Sequence, residues 1–184
     1  MKFIETKLNG AFIIEPEKLE DERGFFARTF CRKELKDYGL DFEVVQCNIS
    51  FNRKEGTLRG MHYQVFPHEE AKLVSCTRGA VFDVILDLRQ DSPTAGEWEA
   101  FELRDRDHKM IYIPKGLAHG FQTLEDDTEV SYFMSEFYHP ECARGVRWSD
   151  PAFGVEWKMP ISIISDRDSN YPLIEFYKLK DIKL

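Results

Sequence analysis

Short alternating runs, each closed by a Gly, Pro or Asp turn, follow one another along most of this chain. Residues 11–15, 25–30, 42–51, 56–64, 71–77, 80–88, 98–103, 110–113, 119–124 and 128–138 read as strands. Between them lie turns such as Asp21-Glu22-Arg23-Gly24, Arg78-Gly79, Ser92-Pro93-Thr94-Ala95-Gly96, Pro114-Lys115-Gly116 and Asp126-Asp127. Residues 16–22 read as a charged loop. Helical spacing is confined to residues 32–38, with Leu35 inward and Gly39 suited to the helix C-terminus. Many short strands with Gly/Pro turns build an all-β sandwich or barrel. The stretch from His139 onward, rich in Pro, Trp and Asp, is expected to wrap that barrel irregularly. With 184 residues and no repeat or linker, residues 1–184 are expected to form a single domain.

The charge balance narrows the partners. Against 25 Lys and Arg stand 33 Asp and Glu, a net charge of −8, whereas nucleic-acid polymers require a basic surface. A small phosphorylated ligand is compatible, since a few local cations suffice to hold it. The four cysteines, Cys31, Cys47, Cys76 and Cys142, form no C-x-x-C pair and read as reduced thiols. The first residues, MKFIETKLNG, lack a signal-peptide core, and no apolar run has membrane-spanning length. A cytoplasmic protein, with no nucleic acid or membrane as partner, is the expectation.

The stretch Gly56-Thr57-Leu58-Arg59-Gly60-Met61-His62-Tyr63-Gln64 carries the first functional signal. In a regular strand His62 and Gln64 share one face and Met61, Tyr63 and Val65 the other. A face with His and Gln, flanked by Arg59 and Lys72, is costly to bury unless it lines a site. Downstream, Pro114-x-Gly116-x-x-His119 has the spacing of the second cupin motif, and the first would fall at Gly60 and His62. The expected fold is therefore all-β, a cupin-type double-stranded β-helix (jelly roll) with one short helix near the N-terminus. A metal-binding cupin needs His-x-His at the first motif, and His62-Tyr63-Gln64 is one imidazole short. We expect neither metal nor other cofactor in this barrel.

The polar residues expected to face inward are Gln46, Asn48, Arg59, His62, Lys72, Asp83, His119, Tyr132 and Asp168. Alone, Lys72 reads as a snorkelling lysine and Tyr132 as core. Together they mark a polar interior, because small barrels normally fill with apolar side chains. Their chemistry is proton movement at carbon. His62 is a base near neutral pH, and a carboxylate such as Asp168 would fix its tautomer. A buried Lys72 can stabilise an enolate oxygen. Tyr132, on the opposite wall, can return a proton to the other face.

Ordered blocks then identify a resemblance. They include Asp21-x-Arg23-Gly24-Phe25-Phe26, Gln46-x-Asn48-x-Ser50, Gly56-x-Leu58-Arg59-Gly60-x-His62 and Ala71-Lys72-Leu73-Val74. Further on are Asp87-Leu88-Arg89, Ile113-Pro114-x-Gly116-x-Ala118-His119-Gly120-Phe121, Trp148-x-Asp150-Pro151 and Ser165-x-Arg167-Asp168. Over nearly its whole length the chain resembles the dTDP-4-dehydrorhamnose 3,5-epimerase family. That resemblance implies His62 as catalytic base, Asp168 as its partner, Tyr132 as proton donor and Lys72 facing the 4-keto oxygen. Asp83 with His119 would form a second polar pair, and Arg59 would contact the diphosphate. Gln46, Asn48 and Arg167 would touch ligand, and Tyr138 would flank the sugar. Arg23 and Phe26 would be lent across a homodimer by exchange of the N-terminal strand.

Two positions depart from the family pattern, Arg28 and Ala143, each where Glu is usual. Both would lie toward the nucleotide, so a dTDP-, CDP- or GDP-linked 4-keto-6-deoxyhexose stays open as substrate. The activity implied is cofactor-independent 3,5-epimerisation; single 3-epimerisation and 3,4-ketoisomerisation are the near alternatives. Outside this class stand a metal-dependent cupin oxygenase, disfavoured by Gln64, and a non-catalytic sugar-binding jelly roll.

Overall fold

The computed structural model describes residues 1–174. In chain order the strands are β1 (Lys2–Glu5), β2 (Phe12–Glu15), β3 (Lys18–Asp21), β4 (Gly24–Ala27), β5 (Gln46–Asn52), β6 (Thr57–Gln64) and β7 (Lys72–Arg78). They continue with β8 (Ala80–Asp87), β9 (Trp98–Arg104), β10 (Met110–Ile113), β11 (Leu117–Thr123), β12 (Thr128–Met134), β13 (Ala143–Gly145) and β14 (Ile163–Ile164). Two short helices, α1 (Arg32–Asp37) and α2 (Asp166–Ser169), complete the set with a 3-10 turn at Asp105–Asp107.

One sheet runs β1-β2-β10-β7-β12-β5. The other runs β13-β6-β11-β8-β9, with β14 pairing β6 in parallel. Each sheet is apolar on both faces, which is why β7, β8 and β11 are nearly continuous in buried residues. Between the sheets lie Val74, Cys76, Ile111 and Val130 from one and Val81, Ile85 and Phe121 from the other. The outer face of the first sheet is covered by Leu35 of α1 with Leu40 and Phe42. The outer face of the second is covered by Val146, Phe153 and Trp157 of the segment after β13. This is the expected jelly roll, and the late irregular segment does wrap it. Among the described residues no helix is long and apolar enough to cross a membrane.

Several expectations need correction. Residues 18–21 are not a loop: Lys18–Asp21 pairs with Gly24–Ala27 as a separate two-stranded hairpin. All four residues of β3 are exposed, so no alternation betrayed it. The strands expected at 25–30 and 42–51 are shorter, at Gly24–Ala27 and Gln46–Asn52, because Phe30 and Phe42 leave the ladder to pack with the α1 cluster. Strand β12 stops at Met134, so Tyr138 belongs to the following loop and not to the strand of Tyr132. A second short helix, α2, sits inside the stretch expected to be irregular, capped by the Ser165 hydroxyl, which accepts from the Asp168 N–H.

Candidate active site

The strict alternation expected for residues 56–64 also fails, and the failure builds the site. His119 stands opposite His62 and Phe121 opposite Arg59, so two steps along β11 span three along β6. The extra residue is a β-bulge, which reverses the facing of everything beyond it. Arg59 and His62 thus meet on one face although they stand three positions apart, an odd step along the strand. Gly60 occupies the bulge at φ +123, where a Cβ would sit 2.5 Å from the Gly120 Cα. Only residues without a side chain allow this approach of the two strands.

At this end of the sandwich a cavity of about 480 Å³ opens between the sheets. From the first sheet Gln46, Asn48, Lys72 and Tyr132 face it, and from the second Arg59, His62 and His119. Tyr138 and Arg167 stand at its rim. Asp168 and Asp83 lie behind the histidines. His62 Nε2 is 2.7 Å from Asp168 Oδ1, and the Gly60 N–H donates to Asp168 Oδ2 at 3.2 Å. The imidazole is 41% exposed and the carboxylate 6%, so the base meets solvent or ligand while its partner does not. Burial pushes the Asp168 carboxyl up, but the His62, Gly60 and Ser165 contacts outweigh it and hold the group below the usual carboxylate range. It stays an anion beside the imidazole.

A second dyad lies deeper, with His119 Nε2 2.8 Å from Asp83 Oδ2 and both side chains buried. The His119 ring meets Tyr132 edge to face, centroids 6.1 Å apart. Burial and the Asp83 charge push the Tyr132 phenol well up, against smaller opposing effects of Arg59 and Ser50. Tyr132 therefore keeps its proton at neutral pH. The Lys72 ammonium donates to the His62 carbonyl at 2.9 Å and pairs with Glu70 at 3.0 Å. These contacts occupy two of its three donors and leave one for a ligand.

Arg59 is held by Asn52, whose Oδ1 accepts from its Nε at 2.7 Å, while the Asn52 amide anchors to the Ser50 and Thr128 carbonyls. Gln46 donates to Asn48 at 3.0 Å. The side chain of Gln64 is spent on main chain: it donates to the His68 and Phe137 carbonyls and accepts from the His139 N–H. Two expected site residues stand elsewhere. Arg23 and Phe26 project from the β3–β4 hairpin, Phe26 at 71% exposure, and neither lines the cavity of its own chain. Of the two departing positions, Ala143 lines the cavity wall, whereas Arg28 pairs with Glu34 of α1 at 2.6 Å.

Sequence reasoning missed Glu70 and Tyr171. Glu70 is a buried acid beside Lys72, and its place just before a strand gave no sign of burial. Tyr171 packs edge to face on His62, centroids 6.2 Å apart, and Arg167 lies over its ring. The available signal was Gly145, whose missing Cβ leaves room for that ring.

Fold and cavity together define a cupin-type jelly roll whose inter-sheet cleft gathers two His–Asp pairs, a lysine and a protonated tyrosine. The sequence matches the dTDP-4-dehydrorhamnose 3,5-epimerase family over residues 5–175, and the chain belongs to that family of isomerases. A relative of that name from Methanothermobacter thermautotrophicus is 44% identical over 178 residues, 95% of each chain. Among solved structures, the enzyme from Elizabethkingia anophelis superposes with a TM-score of 0.93 at 38% identity, covering 100% of this chain and 99% of that one. The Legionella pneumophila epimerase in complex with dTDP-4-keto-L-rhamnose superposes at 0.87, with 35% identity and 98% and 94% coverage.

Proposed function

We propose that this protein inverts C3 and C5 of dTDP-4-dehydro-6-deoxyglucose, giving dTDP-4-dehydrorhamnose. What carries the reading is the dyad of His62 on one sheet with Asp168 of α2 behind it, facing Lys72 and Tyr132 on the other sheet across one cavity. The C4 ketone acidifies the hydrogens on C3 and C5. His62 takes one of these protons, and the electron pair of the broken C–H bond moves to the C4 oxygen as an enolate. Asp168 stabilises the imidazolium, and the free donor of Lys72 meets the developing oxyanion. Tyr132 then donates its phenolic proton to carbon from the opposite face, and the ketone re-forms. Protons lost and gained balance, so no redox partner is required. Arg59 and Arg167 hold the diphosphate, with Gln46, Asn48 and Tyr138 around the sugar and nucleoside. Four free thiols suit the cytoplasm, where such a step would run.

Tyr132→Phe separates proton removal from proton return. The ring and its packing against His119 remain, so stability should change little, while the acid is lost. Solvent deuterium should still enter at C5 on the original face, and net inversion should fall about 100-fold or more. Incubation in deuterated water with dTDP-, CDP- and GDP-linked substrates, followed by NMR, reads position, rate and base preference together. Inversion by the variant at the wild-type rate would make Tyr132 a core residue; label at C3 alone in the wild type would favour a 3-epimerase.

The hairpin supports a homodimer. Leu19, Phe25 and Phe26 are exposed on β3–β4, while among the described residues β5 is an edge strand of its sheet and exposes Ile49 and Phe51. An open edge is a template for strand addition. Docking the hairpin on a neighbour's β5 would cover these side chains and bring Arg23 and Phe26 to that neighbour's cavity. Sedimentation should show a dimer at micromolar concentration, and a fully active monomer would sink the arrangement.

A further inference from the structure

We propose that His68, Glu136 and His139 form a binding site for a divalent first-row transition ion of the zinc type at the rim of the cavity. The ligand atoms of the three side chains lie within 4.8 Å of one another. His68 Nδ1 is 3.8 Å from Glu136 Oε2, and His139 Nε2 is 4.0 Å from Glu136 Oε1. Two imidazoles and one carboxylate are a donor set that zinc accepts, with a fourth position left to water. Tetrahedral zinc–ligand bonds of about 2.0–2.1 Å bring the donors somewhat closer than this. All three side chains are partly exposed, between 28% and 32%, so their heads have room to close on an ion.

Two features make this a built site and not three surface groups. The other ring nitrogen of His139, Nδ1, is 3.1 Å from Glu141 Oε1. A carboxylate there fixes the tautomer and leaves Nε2 with its lone pair toward the cluster, as the outer partners of metal-ligating histidines do. Gln64 fixes the backbone beneath both histidines, donating to His68 O at 2.9 Å and accepting from His139 N at 2.6 Å. It also donates to Phe137 O at 3.1 Å, next to Glu136. The imidazoles lie face to face, ring centroids 3.4 Å and planes 9° apart, so their in-plane lone pairs run parallel and the two rings must turn out of the stack to converge on one ion. The site lies outside the reacting centre, yet Glu136, Phe137 and Tyr138 all line the cavity. An ion here would tie the rim in place.

The probe is zinc alone, titrated against a chromophoric chelator at constant pH into the full chain, with cobalt absorption as a second readout. One ion per chain should bind, at least 10-fold more weakly in His68→Ala and in His139→Ala, and up to 100-fold more weakly in Glu141→Gln. Melting curves establish that each variant is folded, and Glu141→Gln, which changes no ligand, serves if a histidine variant is not. Cobalt should give a d–d band without a thiolate charge-transfer band. A thiolate band would put the ion on a cysteine and overturn the proposal. So would wild-type affinity no tighter than that of His68→Ala/His139→Ala.

Discussion

His62→Asn should lower turnover by about 100- to 10,000-fold while leaving dTDP affinity within a few-fold of wild type. The imidazole is the cavity-facing half of its dyad, and none of Arg59, Gln46 or Asn48 depends on it for a hydrogen bond. The shorter amide cannot reach Asp168 as the Nε2 atom does. Asp168 would keep its Gly60 N–H, so the fold should survive with a loss of about 1–3 kcal/mol for the orphaned carboxylate oxygen. Single-turnover rates and calorimetric titration with dTDP read the two quantities separately. Near-normal turnover would remove His62 from the chemistry. An affinity loss as large as the rate loss would make it a structural histidine.

The jelly roll was readable because β7, β8 and β11 are runs of largely buried residues bounded by turns such as Arg78-Gly79 and Pro114-Lys115-Gly116. His62, Lys72, His119 and Tyr132 stood out as polar groups in such runs, and all four reach one cavity. What alternation cannot show is where it breaks. The bulge at Gly60 is a one-residue event, visible only once β11 is laid beside β6. Strand β3 was missed for another reason: it pairs with β4, and its four exposed residues carry no inward face. Tyr171 reaches His62 by a path through Gly145 and Arg147, which the segment's local sequence does not encode. Tyr138 reached the cavity as expected, although from a loop.

Gly60→Ala is expected to destabilise the protein by about 2–6 kcal/mol and to abolish activity with it. At φ +123 an alanine is strained by about 1–3 kcal/mol. Its methyl would also lie 2.5 Å from the Gly120 Cα and 2.9 Å from the His119 carbonyl, both backbone, for about 1–3 kcal/mol of overpacking. In a chain of 184 residues this lowers Tm by on the order of 10 °C. Two comparisons separate the causes. Gly39→Ala, at φ +76 with nothing within 4 Å, carries strain without collision and should cost about 1–2 kcal/mol. Gly120→Ala meets the Arg59 carbonyl at 2.8 Å without a positive φ and reports the collision from the other strand. Activity should fall further than stability does, because relieving the contact straightens the bulge that turns Arg59 and His62 to one side. It also withdraws the N–H that Gly60 gives to Asp168. A Gly60→Ala protein that melts like Gly39→Ala and still epimerises would mean that the bulge is tolerant and the convergence of Arg59 with His62 does not depend on it.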